Sequence, residues 1–126
     1  MPPLFRFGKF TLHSGEVSEW KIDCDALTQD DWDALAGMAA SLVHPFGAVY
    51  DCGGASMQFA AALREYSAHN SAPLVVDDVF TTGRTMQQVR MEVLPKGAAM
   101  SAKGLVVFAR HEPPPWIRAM FQWTGE

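Results

Sequence analysis

"PLVVDDVFTTGRTM", residues 73–86, decides how this chain is read. An apolar run, Leu74 to Val76, leads straight into two adjacent carboxylates, Asp77 and Asp78. A short, unbroken apolar run followed by turn residues predicts a strand buried on both faces, the kind found in parallel sheets. Adjacent carboxylates repel unless a metal, a cation or hydroxyl donors share them. The vicinal hydroxyls of a ribose are one such partner, because each carboxylate accepts a charge-assisted hydrogen bond. The next residues, Thr81-Thr82-Gly83-Arg84-Thr85, open a helix. Free N–H groups and the positive helix end make an anion site there, the threonines add hydroxyl donors, and Gly83 lets the backbone come close. Carboxylates for a sugar beside amides for a phosphate describe a sugar phosphate. Taken singly, the residues have plainer readings: Asp78 caps a turn and Thr85 caps the helix. The whole string, at a strand-to-helix junction, points to a ligand.

Working outward, "GLVVFA" (104–109) is a second apolar, β-branched strand, and "FGAVYDC" (46–52) is a third that ends at Cys52-Gly53-Gly54. Between them "SMQFAAALREY" (56–66) and Thr85 to about Leu94 read as helices, the second stopped by Pro95 and Gly97. In the first of these, Met57, Ala60, Ala61 and Leu63 are available for packing. Strand, helix, strand, helix, strand is the order of parallel βαβ units. The expected fold is therefore α/β, a parallel sheet with helices on both faces. In such sheets ligands sit at the carboxyl ends of the strands, where both interesting loops fall.

Upstream, "LTQDDWDALAGMAASLV" (27–43) takes helical spacing, with Thr28 as N-cap and Trp32, Leu35, Met38, Ala39 and Leu42 on one face. Before it, "FRFGKFTLH" and "VSEWKIDC" alternate at roughly strand period and predict an N-terminal β-hairpin turning at Ser14-Gly15. After the Pro-rich "EPPP", "WIRAMFQW" places Trp116, Met120 and Trp123 on neighbouring turns of a short terminal helix. One domain over 1–126 follows: a hairpin over 1–27, an α/β core over 28–110 and a C-terminal helix over 111–126.

The totals agree. Of 126 residues, 48% are hydrophobic, enough for a core, and the net charge of -4 with scattered Lys and Arg excludes a nucleic-acid groove. No window approaches the ~18 apolar residues of a membrane span, and "MPPLFRFGKF" is no signal peptide. Two scattered cysteines, Cys24 and Cys52, read as free thiols in a reducing, cytoplasmic compartment.

"VVDDVFTTGRTM" (75–86) closely resembles the motif that binds 5-phosphoribosyl 1-diphosphate (PRPP) in type I phosphoribosyltransferases. "FTLHSGEVSEWKIDC", "GAVYDCGGASMQFAAAL" and "AKGLVVFARHE" resemble, in the right order, segments of the orotate branch of that family. The resemblance implies phosphoribosyl transfer from PRPP to a nucleobase such as orotate, in a homodimer. It implies that Asp77 and Asp78 hold the ribose hydroxyls, Thr81 to Thr85 the 5′-phosphate, and Cys52, Gly53 and Gly54 the pyrophosphate. Arg110 and His13 would stand near the base. Mg²⁺ would arrive on the diphosphate, with Asp77 and Asp78 as candidate ligands. The plainer alternatives are an ordinary turn for Gly53-Gly54 and surface positions for Arg110 and His13; Arg84 either meets a phosphate or faces solvent.

The chain departs from the family in two places. A basic, mobile hood normally lies between the second core helix and the PRPP-motif strand, but here only "SAHNSA" (67–72) joins them. Two strands of about 5–6 residues each and a turn do not fit in that span. Arg64 and His69 are the basic side chains nearby, and His13 stands where the family pattern has Lys. No catalytic lysine is therefore assigned. An enzyme, a PRPP- or nucleotide-binding protein without turnover, and a relict fold used for contacts through its aromatic tail all remain open.

Overall fold

The computed structural model describes residues 4–11, 17–95 and 97–123. Two strands, β1 (Phe5–Thr11) and β2 (Val17–Ile22), pair antiparallel in a sheet of their own. Phe7 lies opposite Trp20 and Phe10 opposite Ser18, so β1 carries one extra residue at Gly8-Lys9. That bulge keeps Phe5, Phe7 and Phe10 on one face despite their uneven spacing. The expected turn at Ser14-Gly15 lies outside the described residues.

Helix α1 (Gln29–Val43) begins as expected. Thr28 Oγ1 accepts from the Asp31 N–H at 3.2 Å, and Asp31 Oδ2 accepts from the Thr28 N–H at 2.8 Å. Its buried face differs from the expected one. Trp32, Ala36, Ala39, Ala40 and Val43 go inside, whereas Met38 is 55% and Leu42 40% exposed. Three alanines let α1 lie close along the next helix, and that proximity outweighs the larger apolar side chains on the neighbouring stripe.

Four parallel strands follow in the order β3 (Val49–Asp51), β4 (Leu74–Phe80), β5 (Lys103–Ala109), β6 (Ile117–Gln122). Helix α2 (Ser56–Leu63), continued by a 3-10 turn to Tyr66, joins β3 to β4. It buries Phe59, Ala60, Ala62 and Leu63 and leaves Met57 and Ala61 exposed, again a shift from the expected stripe. Helix α3 (Arg84–Gln88) runs on as a π-helical turn (Val89–Val93) and joins β4 to β5. Leu74, Val76, Leu105 and Val107 pack on the α1/α2 side, and Val75 and Val106 pack with Met86 and Val89 on the other. Both faces are covered, so these strands read as unbroken apolar runs.

The two helical crossovers are of opposite hand. β3 to β4 and β4 to β5 step the same way across the sheet, yet α2 and α3 lie on opposite faces. Parallel crossovers are right-handed in about 98% of cases. One of the two therefore runs against that preference, and the short 67–72 link takes α2 directly to β4.

The expected C-terminal helix over 111–126 is not formed. Ile117–Gln122 is strand β6, in parallel register with β5 from Gly104↔Ile117 to Ala109↔Gln122. Phe108 and Phe121 stack across this pair with ring centroids 5.6 Å apart. Residues 110–116 must run back along β5, and an extended chain of that length reaches roughly 23 Å. The three prolines 113–115 stiffen this return, and the Ile117 N–H bonds the Pro114 carbonyl at 3.0 Å in the turn that enters β6. No helix among the described residues is long and apolar enough to cross a membrane.

Candidate functional site

Beyond the carboxyl ends of β3, β4 and β5 lies one cavity of about 410 Å³. Cys52 to Gly54, Asp77 and Asp78, Thr81 to Thr85, and Arg110 all line it. Every site residue expected from the sequence is therefore in one place, save His13, which lies outside the described residues.

β4 delivers the carboxylates. Alternation along it slips at the pair: Val75 packs on the α3 side, but Val79 packs on the α1/α2 side. Strict alternation would send Asp77 and Asp78 to opposite faces; here both line the cavity. The Asp78 N–H donates to Asp77 Oδ1 at 2.8 Å, and the Val79 N–H donates to Asp78 Oδ1 at 2.9 Å. Burial pushes the Asp77 carboxyl up to about 8, helped by its hydrogen bond to Asp78 and by that neighbour's charge, and opposed by the backbone bond at Asp78. At neutral pH Asp77 therefore keeps its proton.

The loop after β4 turns at Gly83, which has φ 78° and forms the N-cap of α3. A Cβ there would stand 2.6 Å from Phe80 Cε2, so both conformation and space call for glycine. Thr82 Oγ1 accepts from the Arg84 N–H at 3.3 Å, and Arg84 itself is exposed at the cavity.

The loop after β3 is held from within. The Cys52 N–H donates to Ser56 Oγ at 3.0 Å, and the Gly53 N–H donates to Asp51 Oδ1 at 2.9 Å. Gly53 and Gly54 have φ 89° and 58°. A Cβ at either glycine would meet nothing within 4 Å, so the space above this turn is open.

Arg110 is only 8% exposed, and its N–H bonds the Phe80 carbonyl at 2.9 Å, tying the ends of β5 and β4 together. Arg64, just before the short 67–72 link, lies away from the cavity. Its Nη2 donates to the Val49 carbonyl at 2.8 Å, capping the edge strand.

Cys24, unassigned by sequence reasoning, also lines the cavity from the turn after β2, together with Asp23 and Asp25. The charge of Asp78 acts on its thiol. Burial, then the charge and hydrogen bond of Asp78, push that thiol up; burial and Asp77 do the same to Cys52. Both stay protonated and are not nucleophiles. Nothing in the local sequence marks Cys24, because only the tertiary fold brings it to Asp78.

The oxygen donors of Asp77 and Asp78 suit a hard divalent cation. Among the described residues no group of three or more His, Cys, Asp or Glu could hold a metal ion. A Mg²⁺ ion here would need substrate oxygens.

No family model and no curated protein sequence matches the chain. Solved structures do. Orotate phosphoribosyltransferase from Aeropyrum pernix superposes with TM-score 0.72 at 19% identity, over 94% of this chain and 88% of that one. The Francisella tularensis orotate phosphoribosyltransferase gives 0.60 at 15%, over 94% and 80%. UMP synthase from Leishmania donovani gives 0.67 at 20% over 94% of this chain, which spans only 33% of that larger protein. The sheet, its two helical faces and these likenesses together give this chain the fold of the type I phosphoribosyltransferases, in the form seen in the orotate enzymes.

Proposed function

We propose that the cavity binds PRPP with Mg²⁺ and that the chain transfers its 5-phosphoribosyl group to a nucleobase such as orotate. The observation that carries this reading is convergence. The carboxylate pair with its Thr81–Thr85 loop, the Gly53-Gly54 turn and Arg110 come from three separate segments and line one cavity. Asp77 and Asp78 accept hydrogen bonds from the two ribose hydroxyls. The open amides and hydroxyls of the Thr81–Thr85 loop hold the 5′-phosphate, with Arg84 beside them. The glycine turn holds the diphosphate, and the buried Arg110 guanidinium presents a planar fork to the base or its carboxylate.

In the reaction a base nitrogen forms a bond to the anomeric carbon as the carbon–oxygen bond to diphosphate breaks. Bound Mg²⁺ offsets charge on the departing diphosphate. The chain's part is to fix the sugar by its diol and its 5′-phosphate, so that the anomeric carbon stands between base and leaving group. A second copy related by two-fold symmetry would lend cations to the diphosphate, and two free thiols fit a reducing, cytoplasmic setting.

A second reading is binding without turnover. It is favoured by the six-residue link at 67–72, too short for a hood, and by Arg64, which is engaged at Val49 rather than at the cavity. Binding needs a complementary ground state, whereas turnover needs groups aimed at the leaving charge. Calorimetry with Mg²⁺ and PRPP, then with orotate added, separates the two. Sustained heat only with the base present supports transfer, heat that saturates and stops supports the binder, and no heat in either case refutes both.

A further inference from the structure

Ser56 is completely buried at the first position of α2, at 0% exposure, and both of its hydrogen bonds reach back to the loop before it. Its Oγ accepts from the Cys52 N–H at 3.0 Å and donates to the Gly53 carbonyl at 2.6 Å. One hydroxyl therefore grips both sides of a turn that contains two successive left-handed glycines. Two open glycines are conformationally loose on their own, since neither has a side chain to restrict it. The grip has a second consequence. With the Cys52 and Gly53 amides engaged by Ser56 and Asp51, the loop's remaining donors are the N–H groups of Gly54 and Ala55. Among the described residues no protein acceptor takes either of them. Both residues line the cavity.

We propose that Ser56 is a positioning residue that sets the Gly54 and Ala55 amides for the diphosphate, and so makes the site select PRPP over the same sugar phosphate lacking a diphosphate. This rests on the PRPP reading above. Ser56 touches no ligand; it acts through the turn. Preorganised donors gain their value from being held in place before the anion arrives. Loosening them weakens the contacts of the 1-diphosphate and leaves those of the diol and the 5′-phosphate alone.

The test compares PRPP with ribose 5-phosphate, both with Mg²⁺, by calorimetry on wild type, Ser56→Ala and Thr82→Ala. Ser56→Ala is expected to weaken PRPP about tenfold and to hold ribose 5-phosphate within about twofold. Thr82→Ala, in the 5′-phosphate loop, is expected to weaken both. Equal weakening of the two ligands in Ser56→Ala, or no change in either, overturns the role of Ser56 alone. A wild-type protein that binds neither overturns the PRPP reading and this proposal with it. Amide exchange on wild type needs no variant. The Cys52 amide should exchange slowly in the free protein, and PRPP should slow Gly54 and Ala55 while leaving Cys52 unchanged. A Cys52 amide that exchanges as fast as Gly54 overturns the clamp.

Discussion

The Asp78 N–H donates to Asp77 Oδ1 at 2.8 Å, and the Asp77 carboxyl, pushed up to about 8 chiefly by burial, keeps its proton at neutral pH. A ribose diol must donate to both carboxylates, so the pair has to lose that proton when the sugar binds. PRPP affinity is therefore expected to rise about tenfold per pH unit up to pH 8 and level off above it. Calorimetry at pH 7 in buffers of different ionisation enthalpy should show close to one proton released per PRPP. A flat pH profile with no proton release would remove the diol from this pair.

The same burial lowers stability at alkaline pH. The carboxyl's ordinary value is 3.8, and the folded value of about 8 lies above it. Between those values the folded chain holds a proton that the unfolded chain has lost, so stability falls as pH rises from about 4 to about 8. Asp77→Asn removes the effect. It is expected to raise Tm by several degrees at pH 9, where each ~1 kcal/mol is worth roughly 4–8 °C, and to leave Tm at pH 3 unchanged. Asp77→Asn with Asp78→Asn is expected to fold and to lose PRPP binding; unchanged affinity would sink the site assignment.

Gly83→Ala tests the phosphate loop by sterics. Its Cβ would collide with Phe80 Cε2 and its φ of 78° is unfavourable for alanine. The expected cost is about 1–3 kcal/mol in denaturant melts, with weaker binding of ribose 5-phosphate as well as PRPP. An alanine that binds both ligands normally would show that the loop is not the phosphate cradle.

Arg64→Met tests a structural role. The Val49 carbonyl loses its partner at the exposed edge of β3. The expected loss is about 0.5–1.5 kcal/mol, together with greater self-association by light scattering, because an open strand edge is a template for pairing. PRPP affinity should not change; a large drop would return Arg64 to the binding site.

How much of this was legible in the sequence follows the range of the forces involved. The β4 strand, its aspartates and the Thr81–Thr85 loop were readable because burial on both faces and turn chemistry are written in adjacent residues. The capping box at Thr28 is equally local, although only its first half, Thr28 as N-cap, was anticipated. The buried face of α1 was set by close approach to α2, which favours Ala36 and Ala40 over Met38 and Leu42; no window of α1 alone contains that information. β6 was misjudged because Trp116, Met120 and Trp123 repeat at helical spacing, while what holds the segment extended is the edge of β5. Cys24 and Ser56 were passed over for the same reason: their partners, Asp78 and the Cys52-Gly53 turn, define them, and their own types do not.

The opposite hand of the two crossovers bears on how the chain assembles. β4 and β5 are paired over six registered residue pairs across a helix-linked loop, whereas β3 and β4 share three. Of the two connections, one runs against the preferred twist of chain passing between parallel strands. The expected nucleus is β4–α3–β5, with β3 docking late from whichever side the short link permits. Folding rates should then respond to Val75→Ala and Val106→Ala with φ-values well above those of Val49→Ala, whose effect should fall on unfolding. In that order the carboxylates and the 5′-phosphate loop are assembled first, and the glycine turn is added last, as a separable layer of the binding site.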